Sequence, residues 1–177
     1  MASIGEIFSD PQSMGAWTVV PDQSTVLVKA KTMWGLSTVK LRFTELSGEG
    51  QITAPQTVSG RVDVKTASVQ TGIRKRDDHM RSADYFEAEK FPVISIVIKS
   101  AEAIEGDVVD LRADLTVKGT TKPLTLKTRV SPVGDGGMRL TPEATVDRQQ
   151  FGVDGNMMGM IADKVTITGD VVFRPAG

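Results

Sequence analysis

The sequence contains no cysteine and a single histidine, His79. The absence of cysteine excludes disulfides, thiolate metal sites and cysteine nucleophiles. One histidine likewise excludes a multi-histidine metal site within one chain. The chain has 177 residues, which is enough for one domain that folds around an apolar core without covalent cross-links.

The sequence also lacks an excess of either charge, because 21 Lys and Arg face 22 Asp and Glu, for a formal net charge of -1. Nucleic-acid binding requires clustered basic residues, so we expect no nucleic-acid partner. The triplet Arg74-Lys75-Arg76 is followed at once by Asp77 and Asp78, and we interpret it as the solvated face of a helix.

No segment has the continuous apolar length of a membrane span, so we expect no stable membrane insertion. The first 15 residues contain Glu6 and Asp10 and have no basic start or apolar run, unlike a secretory signal peptide. We therefore expect a cytoplasmic protein, or a periplasmic or secreted one if a leader has been removed.

Apolar and polar residues alternate in successive segments between Gly, Pro, Asn and Asp. Because side chains alternate across a strand, each apolar set lines one surface. The sets are Val26, Val28 and Ala30; Val39, Leu41 and Phe43; Val62 and Val64; Val109, Leu111, Ala113, Leu115 and Val117; Leu124 and Leu126; Met138, Leu140, Ala144 and Val146; and Val165, Ile167, Val171 and Phe173.

A short strand is also predicted at Trp17 to Val20, and another within the apolar run from Val93 to Ile98, whose inward face is ambiguous. About eight such strands favour an all-β antiparallel barrel or sandwich, which the period alone does not separate. We predict one domain over residues 15–177, preceded by a tail or lead-in over residues 1–14.

Alternation stops from Ile73 to Glu89, where charged residues and helix formers predominate. We predict two short helical pieces, with Asp84 as an N-cap and Glu87 as its capping partner. Pro92 then ends the helical region. We expect this insert to cover the mouth of a barrel.

Several segments, in order, resemble the YceI-like family of bacterial polyisoprenoid-binding proteins. They are Thr71-Gly72, residues 76–82 (RDDHMRS), residues 84–86 (DYF), Phe91-Pro92, residues 115–119 (LTVKG) with 121–123 (TKP), and Arg148 with residues 151–153 (FGV). The resemblance implies a lipocalin-like, eight-stranded antiparallel β-barrel with a short helical insert capping one end. It also implies that the lumen holds a polyisoprenoid or a similar long amphiphile.

The sequence departs from that family at two places. Thr32 stands where many relatives have histidine, and Leu41-Arg42 precede Phe43 where glycine is common. The resemblance therefore transfers the fold more directly than the ligand.

Together, the alternation and the resemblance predict binding by exclusion of water from an isoprenoid lipid, a polyprenyl or quinone-type molecule, for sequestration or transport. No other cofactor and no catalysis are expected. His79 and Arg81 are candidate head-group contacts. The predicted lumen contacts are Val26, Val28, Met33, Trp34, Val39, Leu41, Phe43, Val62, Val64, Ile96, Leu111, Leu115, Leu124, Leu126, Phe151, Met157, Met158, Met160 and Ile167.

Two alternatives to a lipid carrier stay open at this point. One is an enzyme for an apolar substrate that uses His79 with Asp77 or Asp78, although no nucleophile or oxyanion site is identified. The other is a stress-related interaction protein whose barrel is filled by side chains. A homodimer, and a brief contact of the basic triplet with anionic lipid, are also left open.

Overall fold

The computed structural model describes residues 10–54, 57–134, 136–155 and 160–176. Within them, almost all regular structure is β-strand. The strands are β1 (Gly15–Val19), β2 (Thr25–Thr32), β3 (Ser37–Phe43), β4 (Leu46–Ala54), β5 (Thr57–Lys65), β6 (Val69–Gln70), β7 (Val93–Glu105), β8 (Val108–Val117), β9 (Thr120–Val133), β10 (Gly137–Asp147) and β11 (Lys164–Pro175). The helix α1 spans Arg74–Met80, and short 3-10 helices span Pro11–Ser13, Pro21–Gln23, Met33–Gly35, Thr66–Ser68 and Arg148–Phe151.

These strands form eight long antiparallel segments, three of which each consist of two strands separated by a break. β1 and β2 follow one another along β11. β3 and β4 pair with β2 and β1 in turn, and β5 and β6 pair with β4 and β3. The strands β7 to β11 complete the meander, and the pairing of β11 with β1 closes it. The structure therefore confirms the eight-stranded antiparallel barrel and excludes a sandwich.

Strand β4 was not predicted from the sequence, and its glycines explain why. Gly48 and Gly50 take the inward positions between Leu46 and Ile52, so no apolar alternation is visible. Gly50 pairs with Trp17. A Cβ at Gly50 would lie 3.8 Å from a ring carbon of Phe173. A Cβ at Gly50 would thus be in ordinary van der Waals contact with the Phe173 ring, whereas a larger side chain would crowd it.

The insert between β6 and β7 contains one helix, α1, and not the two that were predicted. The chain after Met80 forms turns. Asp84 does not cap a helix, because its carboxylate bonds to Nε2 of His79 at 2.9 Å. Glu87 has a φ of 50°, which is incompatible with a regular right-handed helix. The prediction of a second helical piece and of the Asp84 cap was wrong.

The barrel interior has two halves. The end opposite α1 is filled by buried apolar side chains, and we call it the packed half. Its members are Trp17, Val19, Ile52, Val62, Ile98, Val109, Leu111, Ala113, Leu126, Val130, Met138, Val171 and Phe173. The end next to α1, which we call the open half, is where β2, β8 and β10 finish and β7 and β11 begin.

Candidate functional site

The open half encloses a cavity of about 320 Å³. Its walls come from strand registers that place inward residues side by side. Val28 lies opposite Leu41 on β3 and opposite Ile167 on β11, and Val26 lies opposite Phe43. These side chains present a continuous apolar surface to any guest in the cavity.

The structure places most of the predicted lumen residues around this cavity. The structure shows that these residues share one location, whereas their contact with a ligand stays a prediction. Those that line it are Val26, Val28, Met33, Val39, Leu41, Phe43, Val64, Ile96, Leu115, Phe151, Met160, Ile167 and the candidate head-group residue His79.

Six predicted residues do not line the cavity. Val62, Leu111, Leu124 and Leu126 also point inward, but they pack in the filled part of the barrel beyond its deep end. Trp34 is exposed at the end of a hairpin. Arg81 donates to the backbone oxygens of Ala67 and Val69 and pairs with Asp78. Met157 and Met158 lie outside the described residues.

The cavity also has lining residues that were not among the predicted lumen contacts. Ala30, Val117, Val146 and Val165 belong to the predicted alternating sets but were not chosen from them as contacts. The remainder come from the ends of strands, from the insert and from loops, where no period marks an inward residue. They are Thr32, Arg76, Met80, Tyr85, Phe86, Ile94, Arg148, Val153 and Ile161.

The insert lines the mouth of the cavity with aromatic side chains. The Phe86 ring packs edge-on against Phe43 with centroids 5.6 Å apart. The His79 ring meets the Tyr85 ring edge-on at 5.0 Å. Edge-to-face packing adds stability beyond simple burial. The insert therefore forms part of the wall, as expected for a segment that covers a barrel mouth.

A few polar groups stand at the mouth. Arg76 lines the cavity and donates from one terminal nitrogen to the Thr71 carbonyl at 2.7 Å. Its buried Nε has no hydrogen-bond partner among the described residues. His79 also lines the cavity, next to its partner Asp84. Thus a cation with an unpaired donor and an imidazole border a predominantly apolar space.

Asp77 and Asp78, the other residues of the enzymatic alternative, do not line the cavity. One Asp77 oxygen accepts hydrogen bonds from the backbone N–H and the hydroxyl of Thr71, both at 2.6 Å. Asp78 pairs with Arg81. In this arrangement Asp77 holds the turn that precedes α1.

Arg148 organises the loop at the mouth. Its side chain is 6% exposed and donates to the carbonyl oxygens of Val153 (2.8 Å), Gly155 (2.8 Å), Ile161 (3.1 Å) and Ala162 (2.9 Å). A planar guanidinium can satisfy several acceptors at once. Arg148 therefore fixes both ends of the loop that carries Val153 and Ile161 to the cavity.

Lys118 connects three segments at the mouth of the cavity, namely the β8–β9 hairpin, the insert and the Arg148 loop. It sits in the β8–β9 turn with a φ of 52°, and its ammonium donates to the carbonyls of Ala83 at 2.8 Å and Gly152 at 3.1 Å. These two hydrogen bonds connect the hairpin to the insert and to the Arg148 loop, and they stabilise the conformation of the mouth.

Burial raises the pKa of the Tyr85 phenol above its ordinary value. The nearby positive charge of Arg148 opposes this shift, and the negative charge of Asp84 adds to it. Tyr85 is therefore a neutral phenol at physiological pH, so it presents no charge to the apolar cavity.

Within the described residues, no three or more His, Asp or Glu side chains are grouped closely enough to bind a metal ion. In the same part of the chain, no helix has both the length and the apolar character needed to span a membrane.

Comparisons with known proteins agree with this architecture. A family model described as a YceI-like domain matches residues 17–173. Protein YceI of Escherichia coli O157:H7 is 40% identical over 86 residues, which cover 47% of this chain and 44% of that relative. The match thus spans less than half the length of this curated relative.

Solved structures share the fold. BcnA of Burkholderia cenocepacia has a TM-score of 0.79 at 21% identity, covering 87% of this chain and 98% of that one. A structure described as a polyisoprenoid binding domain from Saccharophagus degradans has a TM-score of 0.75 at 16% identity, covering 91% of this chain and 99% of that one. Since the family model spans nearly the whole described barrel, the chain belongs to the YceI-like family.

Proposed function

We propose that this protein binds an isoprenoid lipid without catalysis, with the tail in the open half of the barrel. The observation that carries the proposal is an apolar cavity of about 320 Å³ inside a closed barrel, with polar groups confined to its mouth. The similarity in fold to a polyisoprenoid binding domain supports it. Sequestration or transport of the lipid is part of the proposal.

The physical basis is the removal of apolar surface from water. Each buried methylene contributes about 0.8 kcal/mol. A cavity of about 150 Å³ admits one benzene ring, so the open half holds roughly a dozen carbon atoms, or two to three isoprene units. Their burial is worth roughly 10 kcal/mol before the entropic cost of association. Useful affinity then needs few polar contacts.

The polar groups at the mouth favour a head group with acceptor oxygens. Arg76, whose buried Nε–H has no partner among the described residues, and His79 both line the cavity. A buried donor without a partner is costly, and a quinone carbonyl or a phosphate oxygen would satisfy it. We propose Arg76 and His79 as the head-group contacts, and no longer Arg81, whose guanidinium is bound to backbone oxygens.

Native mass spectrometry and organic extraction of protein purified from its own host test the proposal directly. We expect a co-purifying lipid that bears isoprene units. Repeated absence of lipid from freshly purified, folded protein would contradict it and favour the interaction-protein alternative.

A cavity-filling variant provides the matched test in vitro. Val28→Trp should abolish binding of a fluorescent isoprenoid, because the indole occupies the cavity that Val28 lines. Leu27→Trp is the control, since Leu27 is the next residue on β2 and faces the opposite side of the sheet. Equal binding by both variants would place the lipid elsewhere.

The enzymatic alternative makes a different prediction for His79, which lines the cavity beside Asp84. In our proposal, His79→Ala weakens binding of a lipid with an oxygen-bearing head group a few-fold and leaves a tail-only analogue unaffected. If His79→Ala instead abolished conversion of an added isoprenoid while its binding stayed intact, the protein would be an enzyme.

A further inference from the structure

The hairpin between β2 and β3 ends in three large exposed apolar side chains, which we call the apolar tip. Met33 is 49% exposed, Trp34 77% and Leu36 84%. Met33 and Trp34 both have positive φ, 52° and 56°, a conformation that is unfavourable for residues other than glycine. The backbone thus holds apolar groups outward at a cost in strain and in exposed apolar surface. The hairpin turn accounts for the positive φ values, but it does not require large apolar side chains at these positions.

Behind the tip, the outer surface of the same sheet carries a cluster of exposed cations. This basic face consists of Lys29, Lys31, Lys40, Arg42 and Lys164. Lys29 and Lys40 lie directly opposite each other on β2 and β3, where like charges destabilise a strand pair. Within the described ranges, no ion pair offsets the charge of any of the five.

We propose that the apolar tip and the basic face dock the protein onto a lipid bilayer that carries anionic head groups. Tryptophan and other large apolar side chains partition into the interface of a bilayer. Basic residues behind them are attracted to anionic lipid, each strengthening binding about fivefold. The two features together are those of a peripheral membrane contact. The formal net charge of the chain is only -1, so the attraction is local and orients the molecule.

The position of the apolar tip relates membrane docking to lipid binding, and this step rests on the proposed function. Thr32 and Met33, at the base of the tip, line the cavity. Docking therefore brings the mouth of the barrel to the membrane surface. An isoprenoid tail could then pass between bilayer and barrel without crossing water, which is the costly step in moving such a lipid.

Vesicle co-sedimentation tests the docking with the whole chain. We expect binding to an equal mixture of phosphatidylcholine and phosphatidylglycerol, much weaker binding to phosphatidylcholine alone, and loss of binding as salt is raised. Trp34→Ala and the double variant Lys29→Glu/Lys40→Glu should each weaken binding to the mixed vesicles more than about tenfold. Equal binding to both kinds of vesicle would overturn the electrostatic part of the proposal.

Matched changes elsewhere on the barrel provide the controls. Ile104→Ala removes an exposed apolar side chain near the opposite end of β7, and Arg112→Glu/Lys127→Glu reverses two exposed charges on β8 and β9. We expect both to bind vesicles within about twofold of the parent. If they weaken binding as much as the hairpin variants, the docking site is not this hairpin.

Two further measurements separate the remaining outcomes. Lys29→Glu/Lys40→Glu should bind a soluble fluorescent isoprenoid like the parent, because its changes lie outside the barrel. If neither protein binds isoprenoid but the parent still binds mixed vesicles, the docking holds and the proposed cargo fails. If analytical ultracentrifugation shows a dimer that Trp34→Ala dissociates, the tip contacts a second copy and the membrane proposal is overturned.

Discussion

Tyr85 is the chain's single tyrosine, so its ionisation can be followed without interference from other phenols. Burial raises its pKa in the folded state, whereas in the unfolded chain it ionises near its ordinary value of about 10. The unfolded state therefore releases the proton first. The contribution of the buried, protonated Tyr85 to the free energy of unfolding is therefore complete below pH ~10. It is lost as the pH rises towards the folded-state pKa.

We therefore expect the tyrosinate absorbance of the native protein to rise with a midpoint above pH ~10 and to return to that value in denaturant. Tyr85→Phe should reduce the loss of stability at alkaline pH, as measured by thermal unfolding at a series of pH values. A native midpoint at or below the ordinary value would show that the phenol is not buried at the mouth.

Arg148 is the second residue whose effect can be isolated. Arg148→Met leaves four backbone carbonyls at the mouth without their donor. We expect a loss of about 3 kcal/mol in the free energy of unfolding, and little recovery in Arg148→Lys, because an ammonium lacks the planar fork.

Arg174→Met is the control for Arg148, because Arg174 donates one hydrogen bond, to the carbonyl of Gly134. Chemical denaturation should show a much smaller loss for this variant. Similar losses for the two variants would contradict the role of Arg148 in holding the mouth loop.

At the scale of the elements, the two inward glycines of β4 differ in the space that surrounds them. A Cβ at Gly48 would lie 2.3 Å from the Arg61 carbonyl oxygen, whereas at Gly50 the nearest atom is 3.4 Å away. We expect Gly48→Ala to destabilise the protein by about 2 kcal/mol, as overpacking does. Gly50→Ala should be within about 1 kcal/mol of the parent, since it also restricts the unfolded chain.

Urea denaturation of the two alanine variants checks this prediction, and each variant serves as the control for the other. Equal stability would mean that the backbones of β4 and β5 are not held as close as the register requires. The pair also shows why sequence reasoning did not find β4. An inward glycine contributes close approach between strands, which leaves no trace in the apolar alternation.

Apart from the two-residue β6, the other strands were predictable because apolar residues recur at every second position, as in Val26 and Val28. The closing insert was predictable as an interruption of that period, but its conformation was not. Tyr85 and Phe86 enter the barrel through turns that are fixed by long-range hydrogen bonds, such as that of Lys118 with Ala83. Local helix propensity carries no information about such contacts.

At the scale of the whole molecule, the depth of the cavity decides what the barrel can hold. Val62 and Val64 follow the same alternation, yet Val64 lines the cavity and Val62 packs below it. Both residues face inward in the same pattern, so the boundary between the open half and the packed half depends on how all eight segments fill the lumen. The sequence therefore predicted a lumen but not its length.

This depth sets a limit on the tail. We expect isoprenols of roughly two to three isoprene units to bind as tightly as longer ones, because additional units find no space. Ile98→Ala should remove this limit and improve the binding of longer isoprenols relative to short ones. Ile98 lies one inward position below Ile96 and opposite Gly60 and Ala113, so its truncation deepens the cavity.

The control for tail length is Val130→Ala, a core truncation in the packed half. Both variants should be less stable than the parent by roughly 1 to several kcal/mol, as other core truncations are. Only Ile98→Ala should change the preference for tail length, as measured in a displacement titration. A parent protein that binds long isoprenols much more tightly than short ones would show that the packed half opens for its guest.

The pairing of β11 with β1 has a consequence for how the protein reaches its native state. A ring of strands has no free edge to recruit further chains, but that protection exists only once the ring is complete. During synthesis, the segments from β1 to β10 emerge first and expose two unsatisfied edges until Lys164–Pro175 leaves the ribosome. The period of greatest risk of aggregation therefore precedes the synthesis of β11, and it ends when that strand pairs with β1.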